Sequence, residues 1–487
     1  MPKTLPVLKT KTAFRSWYTV LAPIIALVFF YGSTRLSIAQ PQAATAANEA
    51  PPLQESQPHV IDLSSAARLM LVNDHTYRAA ISEQAATQTE RDKGRAGLLP
   101  SVQMGYSYSR VSGSRWQPDF RGQRTESDLR YNSSNGYVQL RQPLLDYGRY
   151  AGYQRGHALA DQGLAVFSRK HQEAGLRVAG AYFNVVLAKS QLSLQEALVS
   201  SLTDMVTAFQ ARYRQSESTR TELQETEARL SLAQADAIQA QDQLTVASRE
   251  LQSLIGVYPH PIAGLVARFP QHPLTPERLD DWLTRARANS PEVRAAQEAV
   301  TVANTDVEQA GSRYLPTLNL VATYGRSQSD SLSSLDQRTN TFTIGLQLDI
   351  PIFTGGYTTA NVARARADRA RLQHELTAAL ERTEAQTTRF YTDVLSGAER
   401  IKALQAAVES GTLSLASARK GFVAGTLSNI DVLNTQDKLF QARFELVRAQ
   451  LDYLQARLAL VAATGDLQNS TFDEINDTYL TAASTFR

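Results

Sequence analysis

Thr341-Phe342-Thr343-Ile344-Gly345-Leu346-Gln347-Leu348-Asp349-Ile350 is the stretch on which the fold turns. Phe342, Ile344, Leu346, Leu348 and Ile350 fall on one face; Thr341, Thr343, Gly345, Gln347 and Asp349 fall on the other. That period of two marks a strand with one apolar side. Just beyond it, after Pro351 and Gly355-Gly356, a proline-free run begins and lasts to about residue 424. At 1.5 Å per residue such a helix is roughly 100 Å long. A short strand feeding so long a helix is an unusual pairing, and the chain contains it twice.

The second copy is found by register. Asn73-Asp74-His75-Thr76-Tyr77-Arg78-Ala79-Ala80 aligns with Asn289-Ser290-Pro291-Glu292-Val293-Arg294-Ala295-Ala296, and Leu99-Pro100-Ser101 with Leu315-Pro316-Thr317. Gln139-Leu140, Pro143 and Gly148 match Gln347-Leu348, Pro351 and Gly356, and Gly256 matches Gly465. One register over so long a span is a duplication. Each unit is expected to run helix, strand, loop, strand, long helix, shorter helix. The helices are placed at about 64–97, 148–214 and 219–255, and again at about 276–312, 356–424 and 428–464, with Thr275-Pro276-Glu277 as a helix start. Two short helices end to end match one long one, which predicts a tall cylinder of laterally packed helices. The chain divides into 1–39, a lead-in 40–61, repeat 1 at 62–256, a linker 257–275, repeat 2 at 276–465 and a tail 466–487.

The other strands alternate likewise. Val102, Met104, Tyr106 and Tyr108 oppose Gln103, Gly105, Ser107 and Ser109; Leu318, Leu320, Ala322 and Tyr324 oppose Thr317, Asn319 and Thr323. Each run is expected to span about 10–12 residues, the length of a tilted membrane strand. Segments 111–135 and 326–340 are expected to be exposed loops. In a soluble sheet the apolar face turns inward; in an outer-membrane barrel it meets lipid. Four strands cannot close a barrel, and an open edge in lipid leaves backbone groups unpaired. The barrel reading therefore requires several chains to pool their strands.

The 487 residues carry 50 Lys+Arg, 47 Asp+Glu and a formal net charge of +3. Lys3, Lys9, Lys11, Arg15 and Arg35 fall in residues 1–39, which hold no acid, so the remainder is near neutral and the case for nucleic acid disappears. Those residues read as a secretory signal: a basic start, the apolar run 17–31, and Ser37-Ile38-Ala39 at a cleavage point. The chain has no cysteine, which excludes disulfides, thiolate metal sites and a cysteine nucleophile. It shows no nucleophile elbow, phosphate-binding glycine loop or HExxH pattern, and its seven His are scattered. No enzyme, metal or cofactor is expected.

The duplicated strand–strand–helix units resemble the TolC family of outer-membrane export channels. Further carriers are Asn289-Ser290-Pro291-Glu292-Val293, Tyr314-Leu315-Pro316, Pro351-Ile352-Phe353-Thr354-Gly355-Gly356 and Gly425-Thr426-Leu427-Ser428-Asn429-Ile430-Asp431-Val432-Leu433. The resemblance implies a mainly α fold with membrane β structure: a homotrimer closing a 12-stranded barrel, four strands per chain, continued by an α-helical periplasmic barrel. It implies a mixed α/β belt built from 256–276 and the tail, and as partners outer-membrane lipid, an inner-membrane transporter and a periplasmic adaptor. Tyr131-Asn132-Ser133, Leu140-Arg141-Gln142-Pro143-Leu144 and Tyr147-Gly148-Arg149-Tyr150 resemble the branch serving type I secretion of RTX-type toxins and proteases, with an ABC exporter as transporter. A multidrug efflux duct is the alternative within the family, and a periplasmic adaptor or coiled-coil interaction protein the alternative outside it.

By the same resemblance, the turns between long and short helices form a closed periplasmic entrance. Asp431 matches an acidic pore position and Asn434 its neighbour. Phe422 and Leu427 stand where the family has a Tyr and an Arg that tie the tip, and Glu222 is their acidic counterpart, with Arg220 or Lys420 as substitute ties. The residues also carry a local reading. Thr219-x-x-Glu222 and Ser428-x-x-Asp431 are capping-box patterns at matching places in the two units, so the acids can simply satisfy helix N-termini. The cluster Arg364, Arg366, Arg369 and Arg371 reads either as a basic band or as a solvated helix face.

Overall fold

The computed structural model describes residues 60–215, 218–329 and 337–481. The expected signal segment 1–39 and the lead-in as far as residue 59 lie outside the described residues, as does the centre of the second hairpin loop.

Repeat 1 runs α1 (Leu63–Asn73), α2 (His75–Ala96), β1 (Ser101–Pro118), β2 (Arg124–Leu145), α3 (Tyr147–Arg214) and α4 (Arg220–Ile255). The linker carries β3 (Gly264–Leu265). Repeat 2 runs α5 (Leu279–Asn289), α6 (Pro291–Gly311), β4 (Thr317–Ser329), β5 (Gln337–Asp349), α7 (Tyr357–Val423) and α8 (Asn429–Ala463). The tail forms α9 (Asn469–Tyr479) and β6 (Leu480–Thr481). Among the described residues no helix is long and apolar enough to cross a membrane.

The long helices, at 68 and 67 residues, fall where the proline-free runs place them. Three expectations are corrected. The first helix of each unit is broken: Asp74 caps the second helix of repeat 1 by accepting from the Thr76 N–H, and in repeat 2 Pro291, which has no N–H to give the preceding helix, opens the next one after Ser290. Thr275-Pro276-Glu277 does not start a helix; α5 begins at Leu279. The carbonyls of Pro276 and Glu277 instead accept hydrogen bonds from Trp282 Nε1 (2.8 Å) and the Tyr391 hydroxyl (2.6 Å), which holds the segment as a bend. Finally, 111–135 is mostly strand: β1 and β2 pair without interruption to Pro118↔Arg124, and only Asp119–Gln123 turns. Asp119 Oδ1 accepts from the backbone N–H of Arg121 and Gln123, and Gly122 takes φ 77°, so the turn is chemically specified.

α3 has no single apolar stripe, because its neighbours change along its length. Near the sheet α2 and α6 flank it, and it buries small residues there: Ala151, Gly156, Ala158, Ala160 and Gly163. A Cβ at Gly156 would lie 2.4 Å from the Glu90 carbonyl oxygen, so only glycine lets α2 approach this closely. At mid-height the helix buries Val178, Tyr182, Phe183, Val185 and Val186, and towards its far end Leu202, Val206 and Phe209 against α4 and α8. The mid-height residues form the main core with Leu63, Leu251, Ile255, Trp282, Leu454, Phe472 and Tyr479. β3 pairs with β6, Ile61 bridges Ile262, and Asn476 Nδ2 donates to Asp62 at 3.1 Å. Both ends of the described chain thus wrap the middle of the helices, forming the expected belt.

The sheet is antiparallel in the order β1-β2-β4-β5, so its edges are β1 and β5. Cross-strand partners share a face. Val102↔Leu140, Met104↔Val138, Leu320↔Leu346, Ala322↔Ile344 and Tyr324↔Phe342 make the apolar face. It is bare: Met104 is 71% exposed and Leu346 66%. On the opposite face Gln103 donates to Gln139 at 2.6 Å and Gln139 to Thr323 at 3.4 Å, a polar ladder crossing three strands.

Candidate functional site at the turns between long and short helices

The two turns at the end remote from the sheet have the same chemistry. The Thr219 hydroxyl accepts from the Glu222 backbone N–H (3.2 Å), while the Glu222 carboxylate accepts from the Thr219 N–H (2.9 Å) and hydroxyl (3.0 Å). In repeat 2 the Ser428 hydroxyl accepts from the Asp431 N–H (3.3 Å), and the Asp431 carboxylate accepts from the Ser428 N–H (3.0 Å) and hydroxyl (2.6 Å). Both are complete capping boxes. The backbone N–H of Thr219 holds the Glu222 carboxyl below its usual range. The Ser428 hydroxyl, followed by its N–H, does the same for the fully exposed Asp431.

Phe422 is half-buried. Its ring lies 5.6 Å from that of Phe209, with the Arg212 guanidinium 5.4 Å from its centroid, which joins α7 to α3. Leu427 folds back on α7: a Cβ at Gly421 would meet its Cδ1 at 2.9 Å, and Gly425 (φ 76°) permits the reversal. Asn434 Oδ1 accepts from Arg229 Nη2 at 3.0 Å, and Arg229 Nη1 also pairs with Asp437. Arg229 therefore ties α4 of repeat 1 to α8 of repeat 2. Arg220 and Lys420, the substitute ties read from sequence, make no ion pair with the described residues; Arg229 and Arg212 take that place. Sequence reading missed both, since neither lies in a turn motif and each finds its partner in the other repeat.

Between the same helices is a small buried polar group. Asn429 Nδ2 donates to Thr226 Oγ1 (3.0 Å), which donates to the Glu222 carbonyl (2.8 Å). Two turns further along the same face of α8, Gln436 is fully buried, and neither amide atom has a hydrogen-bond partner among the described residues. In the arginine cluster of α7, Arg364 and Arg371 pair with Asp368 and Glu375 within one or two turns, as on a solvated helix face.

A duplicated chain with a bare-faced antiparallel sheet at one end and capped helical turns at the other defines a class: a membrane-embedded duct with a helical extension. The family model "Outer membrane efflux protein" matches residues 66–257 and 282–466, one match per repeat. The chain belongs to this family, the TolC-type channels of the bacterial outer membrane. It is 35% identical over 408 residues to the alkaline protease secretion protein AprF of Pseudomonas aeruginosa, covering 83% of this chain and 84% of that one. It is 31% identical over 419 residues to the proteases secretion protein PrtF of Dickeya chrysanthemi, covering 83% and 88%. The outer membrane protein VceC of Vibrio cholerae has the same fold, with a TM-score of 0.71 at 17% identity, covering 83% of this chain and 96% of that one. The chain is accordingly an outer-membrane export channel whose helices extend into the periplasm, which removes the adaptor alternative.

Proposed function

We propose that this channel is the passive exit duct of a type I secretion system for a protein cargo, a protease or toxin of the RTX type. In this reading three chains pool twelve strands, an ABC exporter supplies the energy, and a periplasmic adaptor joins the two membranes. The observation that carries the cargo class is the similarity, over most of both chains, to two proteins named for protease secretion. Oligomerisation is supported by the sheet, since β1 and β5 offer free edges on an apolar-faced sheet and lipid does not tolerate unpaired backbone; the number three is what membership of the family implies.

The signal segment 1–39 is removed after Ala39, leaving the lead-in 40–61 ahead of repeat 1 (62–256), the linker 257–275, repeat 2 (276–465) and the tail 466–487. Glu222, Phe422, Leu427, Asp431 and Asn434 surround the entrance, where Asp431 adds one carboxylate per chain to a ring that favours cations. Thr219 and Ser428 cap the helices that bear these groups. The protein performs no chemistry on its cargo.

Deleting the gene should abolish extracellular protease or toxin while leaving the cytoplasmic pool intact, and the wild-type gene should restore export. The protein should run as a heat-modifiable trimer in outer-membrane fractions. Secretion that persists while resistance to small toxic compounds falls would place the channel in drug efflux instead.

A further inference from the structure

The apolar face of the sheet has a charged upper border. On β1 the outward series is Val102, Met104, Tyr106, Tyr108 and then Arg110; on β4 it is Leu318, Leu320, Ala322, Tyr324 and then Arg326. On both strands arginine comes one outward step, about 7 Å, beyond the tyrosine that ends the continuous apolar series; on β1 the same face carries one further ring, Trp116, beyond Arg110. β2 supplies Arg130, opposite Ser112 and diagonal to Arg110. Arg338 on β5 falls on the same face and has contacts of its own. Arg110 and Arg130 are exposed and Arg326 is half-buried, and none of the three has an ion-pair or hydrogen-bond partner among the described residues. Among the described residues the nearest acids on this face, Asp128 opposite Ser114 and Glu126 opposite Trp116, begin one step further from the apolar belt, followed by Arg124 opposite Pro118.

We infer that Arg110, Arg130 and Arg326 form a binding border for the phosphate groups of outer-leaflet lipid headgroups. Aromatic rings in a membrane strand mark the headgroup level, and Tyr108 and Tyr324, which end the apolar series, lie one step short of the arginines. Guanidinium is the side chain best matched to phosphate, offering paired N–H donors in a plane. The site is continuous with the lipid-facing surface, so its occupant is a lipid whose chains lie along Met104, Leu320 and Ala322. The border faces outwards because the strand ends that join the helices lie at the other side of the sheet.

The test is native mass spectrometry of the full-length assembly in detergent, titrated with diphosphorylated lipid A, its dephosphorylated form, or phosphatidylcholine. The diphosphorylated lipid should be retained preferentially, and Arg110→Gln, Arg130→Gln and Arg326→Gln should each weaken retention about fivefold. The corresponding Lys variants should keep most of it. Inorganic phosphate at matched concentration should not compete, because the lipid chains contribute to binding. Equal retention of phosphorylated and dephosphorylated lipid A by the wild-type protein, which needs no variant to fold, would overturn the inference. Competition by inorganic phosphate alone would replace the lipid with a free anion and overturn it likewise.

Discussion

Asp431 caps a helix and is also the carboxylate proposed for the pore. Its oxygen already accepts two hydrogen bonds from Ser428, so replacing it removes a cap as well as a charge. Asp431→Asn keeps an acceptor and loses the charge, whereas Asp431→Ala loses both. If the carboxylate acts in the pore, Asp431→Asn lowers cation preference in planar bilayers while the helix start stays protected from hydrogen exchange; unchanged ion preference leaves it a cap only. Glu222 and Asp431 also set a pH dependence. Both are held below their usual range in the folded state. Their contribution is therefore complete above the unfolded carboxylate pKa of about 4 and is lost as pH falls through the lower folded value. Exchange at the backbone amides of 219–223 and 428–432 should be flat from pH 7 to 5 after correction for intrinsic rates, and protection should fall below about pH 4. Gln436 predicts the opposite kind of effect. Its buried amide is unpartnered among the described residues, so Gln436→Leu should stabilise the helical end by about 1–2 kcal/mol, read as a higher denaturant midpoint. A lower midpoint would mean that the amide is satisfied in the assembly.

Among the elements, the short helices depend most on their caps. Thr219→Ala or Ser428→Ala should each cost about 1 kcal/mol, seen as local fraying in hydrogen exchange without loss of the long helices. The caps were legible in the sequence because everything they need lies within four residues. Helix extents were legible for a similar reason, since uninterrupted proline-free runs leave little choice. The breaks at Asp74 and Ser290 were not, because the residues on either side of each break read as one continuous helix, although the capping Asp74 and the helix-opening Pro291 both lie in the sequence. The Arg229 tie was hidden for a plainer reason. Arg229 and Asp437 belong to different repeats, and only the side-by-side placement of α4 and α8 brings them together. The first hairpin was underestimated because the apolar alternation stops near Tyr108, whereas backbone pairing continues to Pro118 without needing an apolar face. Hydrophobic period reports where a strand meets lipid, not how far the strand goes.

At the scale of the whole molecule, that overlong hairpin can be used to prove orientation. β2 pairs with β4 only as far as Ser133↔Ser329, so the β1–β2 tip stands beyond the second hairpin's paired region. Phe120 at its turn is 91% exposed. The native chain has no cysteine, so a single introduced thiol is unique. Phe120→Cys should react with a membrane-impermeant maleimide on intact cells, and Leu427→Cys only after the outer membrane is breached; the reverse pattern would invert the topology. The long helices carry a further consequence. At 68 and 67 residues each covers about 100 Å, a distance that an extended polypeptide bridges with only about 30 residues. A cargo of several hundred residues is thus mostly outside the passage at every instant. Its leading part can fold beyond the cell while the rest still waits to enter, and folding there would prevent backsliding.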